Sequence, residues 1–593
     1  MTARAQHMMD EPNDVAPHDS ARRIDAGAVA VALVVLALCV AKHLVCLKLP
    51  IHVRHYATDD ELMVEMAEGL LAGDWLGPYS AVVLMKGCGF PLFLAAIHTL
   101  GISYLGALDV LNSLASVFFC LQLRPLVKRR APWLVLVAVV LLNPVCCAEL
   151  TYQRVYRNSI TAAQALLLFG SYLGLYLQMR PSLVSDGSPD HPRLWRVVAL
   201  SAIGGFSLWW LWNTREDGMW VMPFVVVATA VMLGMAIAAR ARSRIDSARL
   251  GVIACLLALP LAVLVGGNVL VSRANEARYG VAIRNESSDG SFADALRAIY
   301  AVACNDEVRY ASVSREKLDR LYEASPSLAL ISPQLEEQLA YYDAVDRGRG
   351  DGAVEDGWFF WALRRAAYDS GVATTLVSSE AFYAAVAAEV QAALDDPSSG
   401  LERQATMPSA LMSPWRSEYA VELPRAFANA LFTTVSFSDV TASSGPSGKA
   451  GVWSTRRFEA LTGNRAAFPD DAENPPADEQ EFRARAEESV VIIGAVTTVY
   501  QLLSPLAACA GCVALVACVI KAVRSGEPRA CAAVLLVTLA LALSAAVITA
   551  GVAYSEISAF TAIYYFYLAG AYPLVLAAEL LPIAHLLSGG THE

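Results

Sequence analysis

The sequence predicts an all-α polytopic membrane protein with about 10–11 transmembrane helices and a mostly helical extracytoplasmic domain. Three observations lead there. Apolar residues fill 56% of the 593 positions and charged residues only 17%, mean hydropathy is +0.44, and the apolar residues fall in runs close to the roughly 20 residues that a helix needs to cross hydrocarbon. A soluble chain of this length would expose too much apolar surface. The 37 Gly and 27 Pro are scattered, which excludes a collagen-like chain.

The polar tail 1–24 carries Arg22 and Arg23 and precedes an apolar run, 27–47, that lacks a small-residue cleavage site before His52. That run is expected to be a retained anchor. Further runs cover 89–123, 132–149, 159–178, 196–212, 219–238, 251–271, 490–520, 530–552 and 559–587. A helix over 89–123 would be ~50 Å long, too long for one bilayer crossing. A dipping helix from Phe90 to Leu100 followed by a single crossing is therefore expected. On that path Arg124, Lys128, Arg129, Arg130, Arg180, Arg193, Arg196, Arg240, Arg242, Arg244, Arg249, Lys521, Arg524 and Arg529 share one side. The opposite short loops hold only Lys48, Arg54, Lys86, Arg154, Arg157 and Arg215. This bias assigns the first side, with the N-terminus, to the cytoplasm of a plasma-membrane protein.

The chain then divides into a cytoplasmic tail 1–24, an N-terminal membrane module 25–271 with an outward loop 48–89, an extracytoplasmic domain 272–488 and a C-terminal membrane module 489–593. Within 272–488, apolar residues recur at helical spacing in 292–303, 315–323, 333–344, 357–368 and 380–394, with Ser332-Pro333 as a helix-start signature. Segment 439–480 is rich in Ser, Gly, Pro and Asp and reads as a loop. Most of the 12 Cys lie in or beside apolar runs, where Cys packs as a small hydrophobe; this includes Cys46, Cys146, Cys147 and the Cys509/Cys512 pair. Net charge is −11 and the basic residues form no single face, which argues against a nucleic-acid partner.

Candidate chemistry sits in the outward loop, where Asp59, Asp60 and Glu61 follow the first run and Lys86 stands at the mouth of the next. A carboxylate at a low-dielectric surface can serve as a general base, and a Lys on the same rim can hold a phosphate. The same acids also suit the start of the amphipathic stretch 62–71 as helix caps, and the two roles are compatible. Arg154, Arg157 and Arg215 break the cytoplasmic bias and are functional candidates. Local pairing of Arg215 with Glu216 or Asp217 is the simpler account of that residue. His52 and His55 have the spacing of metal ligands, but nothing else completes a site. The Trp209, Trp210 and Trp212 cluster reads as an interfacial belt.

The paired acids Asp59-Asp60, followed by Lys86-Gly87-Cys88-Gly89-Phe90-Pro91-Leu92 opening the next run, resemble the GT-C superfamily of membrane glycosyltransferases. Within it, the likeness is to the branch of protein O-mannosyltransferases and aminoarabinose transferases, whose corresponding stretch typically reads Lys-Pro-Pro-Leu. Here a Gly-Cys-Gly-Phe insert separates Lys86 from Pro91-Leu92. The resemblance covers about the first 220 residues. It implies a GT-C-like fold, a polyprenyl-phosphate-linked sugar as donor, a glycan, lipid or protein acceptor, Asp59 or Asp60 as base, and Lys86 on the lipid phosphate. Arg154, Arg157 and Arg215 join Lys86 on the topology argument alone. No cofactor is established; paired acids are compatible with a divalent metal bridging the phosphate, without an evident third ligand. A transporter or flippase, which favours internal repeats and mid-membrane ionisable groups, and a non-catalytic envelope assembly protein are the competing classes.

Overall fold

The computed structural model describes residues 25–54, 56–184, 193–304, 308–346, 353–446, 452–469, 475–525 and 528–589. The tail 1–24 and His55 lie outside them. The described chain is helical throughout, joined by isolated bridges and no extended strand among those residues. Its membrane-side helices begin with α1 (Ala26–Cys46), α2 (Asp60–Leu71), α3 (Gly89–Thr99), α4 (Tyr104–Gln122), α5 (Arg130–Leu141), α6 (Thr161–Val184), α7 (Leu194–Trp212), α8 (Met222–Ala241) and α9 (Ser247–Tyr279). An outer set follows, comprising α10 (Ser291–Ala301), α11 (Arg315–Ala324), α12 (Pro326–Leu330), α13 (Ser332–Asp346), α14 (Asp356–Asp369), α15 (Leu376–Asp395), α16 (Tyr419–Ser436) and α17 (Val452–Thr462). The chain returns through α18 (Glu479–Ser525), α19 (Pro528–Ser558), α20 (Tyr565–Leu568) and α21 (Tyr572–Leu587).

Among the described residues eight helices are long and apolar enough to cross a membrane, namely α1, α4, α6, α7, α8, α9, α18 and α19, and three shorter apolar helices, α3, α5 and α21, accompany them. Local chemistry sets their limits. The Asp25 carboxylate accepts from the Gly27 and Ala28 amides at the start of α1, and Asp246 accepts from Arg249 at 2.7 Å to open α9. Gly280 closes α9 with φ +86°, a left-handed turn that Gly adopts without strain. α6 is the hub, packed against α4, α7 and α8.

Several boundaries differ from the sequence reading, but the break in the run 89–123 is as expected: it falls at Gly101, φ +66°, between a short helix and a long one. The Gly89 amide donates to Asn213 O at 2.7 Å, beyond the end of α7, and His98 contacts Leu461 O at 2.9 Å. Both ends of α3 are thus tied to the same end of the bundle, and α4 makes the long traverse. The run 132–149 holds a helix of only 12 residues, because Asn143 caps a new short turn starting at Pro144. The run 559–587 is also divided: Glu556 accepts the Ala562 and Ile563 amides, which ends α19, and only α21 is a longer helix there. Segment 439–480 contains α17 rather than a loop alone, and α9 and α18 overrun the expected boundaries at 271 and 489. In the outer domain all five expected helices form. A Ser-Pro start lies at Ser325-Pro326, where Ser325 Oγ accepts from Leu328 at 3.1 Å, while Ser332 is already inside α13.

Long-range bonds sort the bundle into two ends. Arg130 pairs with Asp25, Arg129 donates to Leu587 O at 3.3 Å, and Arg244 donates to Leu183 O at 3.3 Å. The other end gathers 47–54, 56–103, 142–160, 213–221 and 559–571 beneath the outer domain. That domain has its own core, in which Phe292, Leu296 and Ile299 of α10 pack with Tyr383 and Val386 of α15.

Candidate active site

Two segments run in parallel to build this end. The His52 amide donates to Gln153 O at 2.8 Å, Gln153 Nε2 donates to Pro50 O at 3.0 Å, and His52 forms a parallel bridge with Arg154. Tyr104 Oη donates to Arg154 O at 2.8 Å and fixes that backbone from α4. Just beyond, Asp59 precedes α2 with φ −124° and ψ −95°, and its side chain makes no capping bond. The capping role expected of these acids is therefore absent at Asp59; its carboxylate turns to Lys86.

Asp59 forms an ion pair with Lys86, and Tyr156 bridges them: its hydroxyl donates to Asp59 Oδ1 at 2.9 Å and accepts from Lys86 Nζ at 2.6 Å. Asp60 is engaged differently. Arg154 grips it with Nε and Nη2 at 2.8 and 2.6 Å and reaches Asp59 Oδ2 at 3.7 Å. The Asp60 side chain is 0% exposed and that of Asp59 34%, so only Asp59 can meet a solute. Arg157 pairs with Glu216, whose Oε1 accepts the Gly87 amide at 3.3 Å. Thus Lys86, Arg154 and Arg157 converge around Asp59. Arg215 does not: it is bound by both oxygens of Asp217 at 2.6 Å, the local pairing that its sequence neighbours allow.

The Gly-Cys-Gly turn after Lys86 has a steric reason. A Cβ at Gly87 would lie 2.1 Å from Asn213 O, and one at Gly89 2.9 Å from the same atom. Only Gly lets this turn press on the 213–214 backbone and bring Lys86 beside Glu216. Electrostatics follow from this packing. Burial alone would raise the Asp59 carboxyl, but Lys86 and Arg154 hold it well below the usual carboxylate range. For Asp60, burial outweighs Arg154 and pushes the carboxyl upward. Burial also lowers Lys86 against the pull of Asp59.

Aromatic rings wall the cluster. Tyr156 stacks on Phe566 at 5.8 Å, Arg154 lies over both rings at 4.5 and 4.9 Å, and Lys86 lies over Trp361 at 5.8 Å. Tyr156 stood in the sequence between two exceptional Arg residues, which was the available signal. Trp361 and Phe566 come from distant segments and had none. Also missed were Lys42 and Asp109, 2.7 Å apart between α1 and α4, and Glu579 midway along α21. His52 Nδ1 meets Glu149 at 3.2 Å, and no group of three or more His, Cys, Asp or Glu fit to hold a metal occurs among the described residues. Neither the family models nor the curated proteins compared with this chain match it.

Proposed function

We propose that this protein is an inverting membrane glycosyltransferase that moves a sugar from a polyprenyl-phosphate donor to an acceptor hydroxyl on the extracytoplasmic side. The reading includes α5 and α21 as short crossings and assigns the Arg129/Arg130 end to the cytoplasm. One observation carries it: Asp59, a partly exposed carboxylate kept anionic by Lys86 and Arg154, stands at the end of an apolar helix bundle beside a third cation, Arg157.

In this mechanism Asp59 takes the proton of the acceptor hydroxyl as its oxygen attacks the anomeric carbon. The bond from that carbon to the phosphate oxygen breaks on the opposite face, and Lys86 with Arg157 receives the growing phosphate charge. Asp60 does not contact substrate; it holds Arg154, which in turn orients Asp59. Arg215, already bound to Asp217, stands outside the reacting groups. The outer domain, through Trp361, forms one wall over Lys86.

The test is transfer from a panel of polyprenyl-phosphate sugars in reconstituted vesicles. Asp59→Asn is expected to lower transfer by about 10²–10⁴-fold with insertion intact, and full activity in that variant would sink the base assignment. Mass spectrometry of envelope glycans from a strain lacking the protein would name the sugar. A second reading, ion-coupled transport, draws on one observation: Glu579, 7% exposed and midway along α21, leaves Oε1 without a hydrogen-bond partner. Loss of a vesicle proton flux in Glu579→Gln, with transfer absent throughout, would favour it.

A further inference from the structure

We propose that Cys46 and Cys147 form an intramolecular disulfide that pins the root of the charge cluster. Cys46 is the last residue of α1, and Cys147 ends the short turn that starts at Pro144. Both are free thiols in the structure, with their sulfurs 3.2 Å apart. Packing as small hydrophobes does not require two sulfurs from segments so distant in sequence to meet head on.

Their position gives the contact its meaning. From Cys46 and Cys147 the two chains run side by side, joined at Pro50 with Gln153 and at His52 with Arg154. Arg154 then grips Asp60, next to Asp59. A covalent bond at the sulfurs is the first rung of this ladder, and the base and its Arg lie at its top. Both sulfurs lie at the bundle end opposite Arg129 and Arg130, the end assigned above to the extracytoplasmic side, where disulfides form and persist. The inference rests on that orientation, not on the transfer chemistry.

The reaction is thiol–disulfide exchange with a protein oxidant that carries an active disulfide. One thiol, as its thiolate, attacks that disulfide and forms a mixed disulfide. The second thiol displaces the oxidant's sulfur. The Cys46–Cys147 bond forms, and the oxidant leaves with two electrons and two protons as a dithiol. Cys46 is 0% and Cys147 6% exposed, so exchange precedes the docking of 142–160 on α1.

The experiment treats membranes containing the full chain with N-ethylmaleimide, denatures the protein in the same reagent without reductant, and maps the digest by mass spectrometry. Expected is one linked peptide pair containing Cys46 and Cys147, lighter by two hydrogens than the free peptides and separated by reductant. Maleimide on both residues without reductant overturns the proposal, as does a link from Cys147 to Cys146. Sugar transfer by untreated membranes of a preparation in which the mapping finds both thiols alkylated would sink the disulfide and leave the glycosyltransferase reading standing.

Discussion

The loop between α1 and α4 reaches two ionic networks, and they differ in what is left open. At residues 79–84 it meets the outer domain, where Glu286 is bound by both Arg364 Nη atoms, by Ser379 at 2.7 Å and by Tyr79 at 3.1 Å. Arg364 Nε also donates to Ala81 O at 3.0 Å. Glu286 is 0% exposed and saturated, so it can only hold parts together. A little further on, Lys86 pairs with Asp59, whose carboxylate remains one-third exposed while Arg154 is held by Asp60 and Arg157 by Glu216. A buried ion pair therefore does not by itself mark a site; what sets the second network apart is that the Asp59 carboxylate, ringed by Lys86 and Arg154, stays open to a solute.

The largest effect that separates the two networks is expected at Arg364. Arg364→Leu leaves the Glu286 carboxylate buried with hydroxyl partners only, a loss of about 3–5 kcal/mol measured by denaturant unfolding in micelles. A change below about 1 kcal/mol would mean that the network is not what docks the loop. At Lys86 the expected pattern reverses. Lys86→Met fills the same space and removes the charge proposed to face the departing phosphate, so transfer should fall about 10²-fold while the unfolding midpoint stays near wild type. Retention of most activity would move the phosphate site away from Lys86. Arg215→Ala should change transfer least, by less than about fivefold, because its partner Asp217 is 59% exposed and the pair adds little. A loss as large as that of Lys86→Met would return Arg215 to the site.

The contrast also shows what was legible in the chain. Hydropathy runs located the eight long helices because burial in lipid acts on every residue of a span. They misjudged 132–149 and 559–587, where single capping interactions by Asn143 and Glu556 end helices inside apolar sequence. Lys86, Arg154 and Arg157 were legible as exceptions to a charge bias, and Asp59 and Asp60 as paired acids in the outward loop beside them. Their division of labour was not: Asp60 is buried and Asp59 open because Arg154 approaches from a segment that pairing with His52 brings near. The saturated Glu286–Arg364 pair had no signal, since its members lie far apart in sequence and ordinary in composition.

The finest test of the comparison is pH. The Asp59 carboxyl is depressed in the folded protein, since Lys86 and Arg154 outweigh the opposing effect of burial. A group with a depressed folded value stabilises the protein above its unfolded value, about 3.9, and loses that contribution only as pH falls through the folded value. Asp59 should then add no acid limb to stability at mildly acidic pH. For kcat/KM, which reports the free enzyme, the limb due to Asp59 should lie below the usual carboxylate range. For kcat it should lie higher, because a bound phosphate draws Lys86 away and returns basicity to Asp59, which is what a base needs at the moment of attack. In Lys86→Met the kcat/KM limb should rise toward the kcat limb, since the missing ammonium no longer depresses the free carboxylate. Coincident kcat/KM profiles for the wild type and Lys86→Met would mean that Lys86 does not set the protonation of Asp59, and the accessible ion pair would then be no more than another fastening.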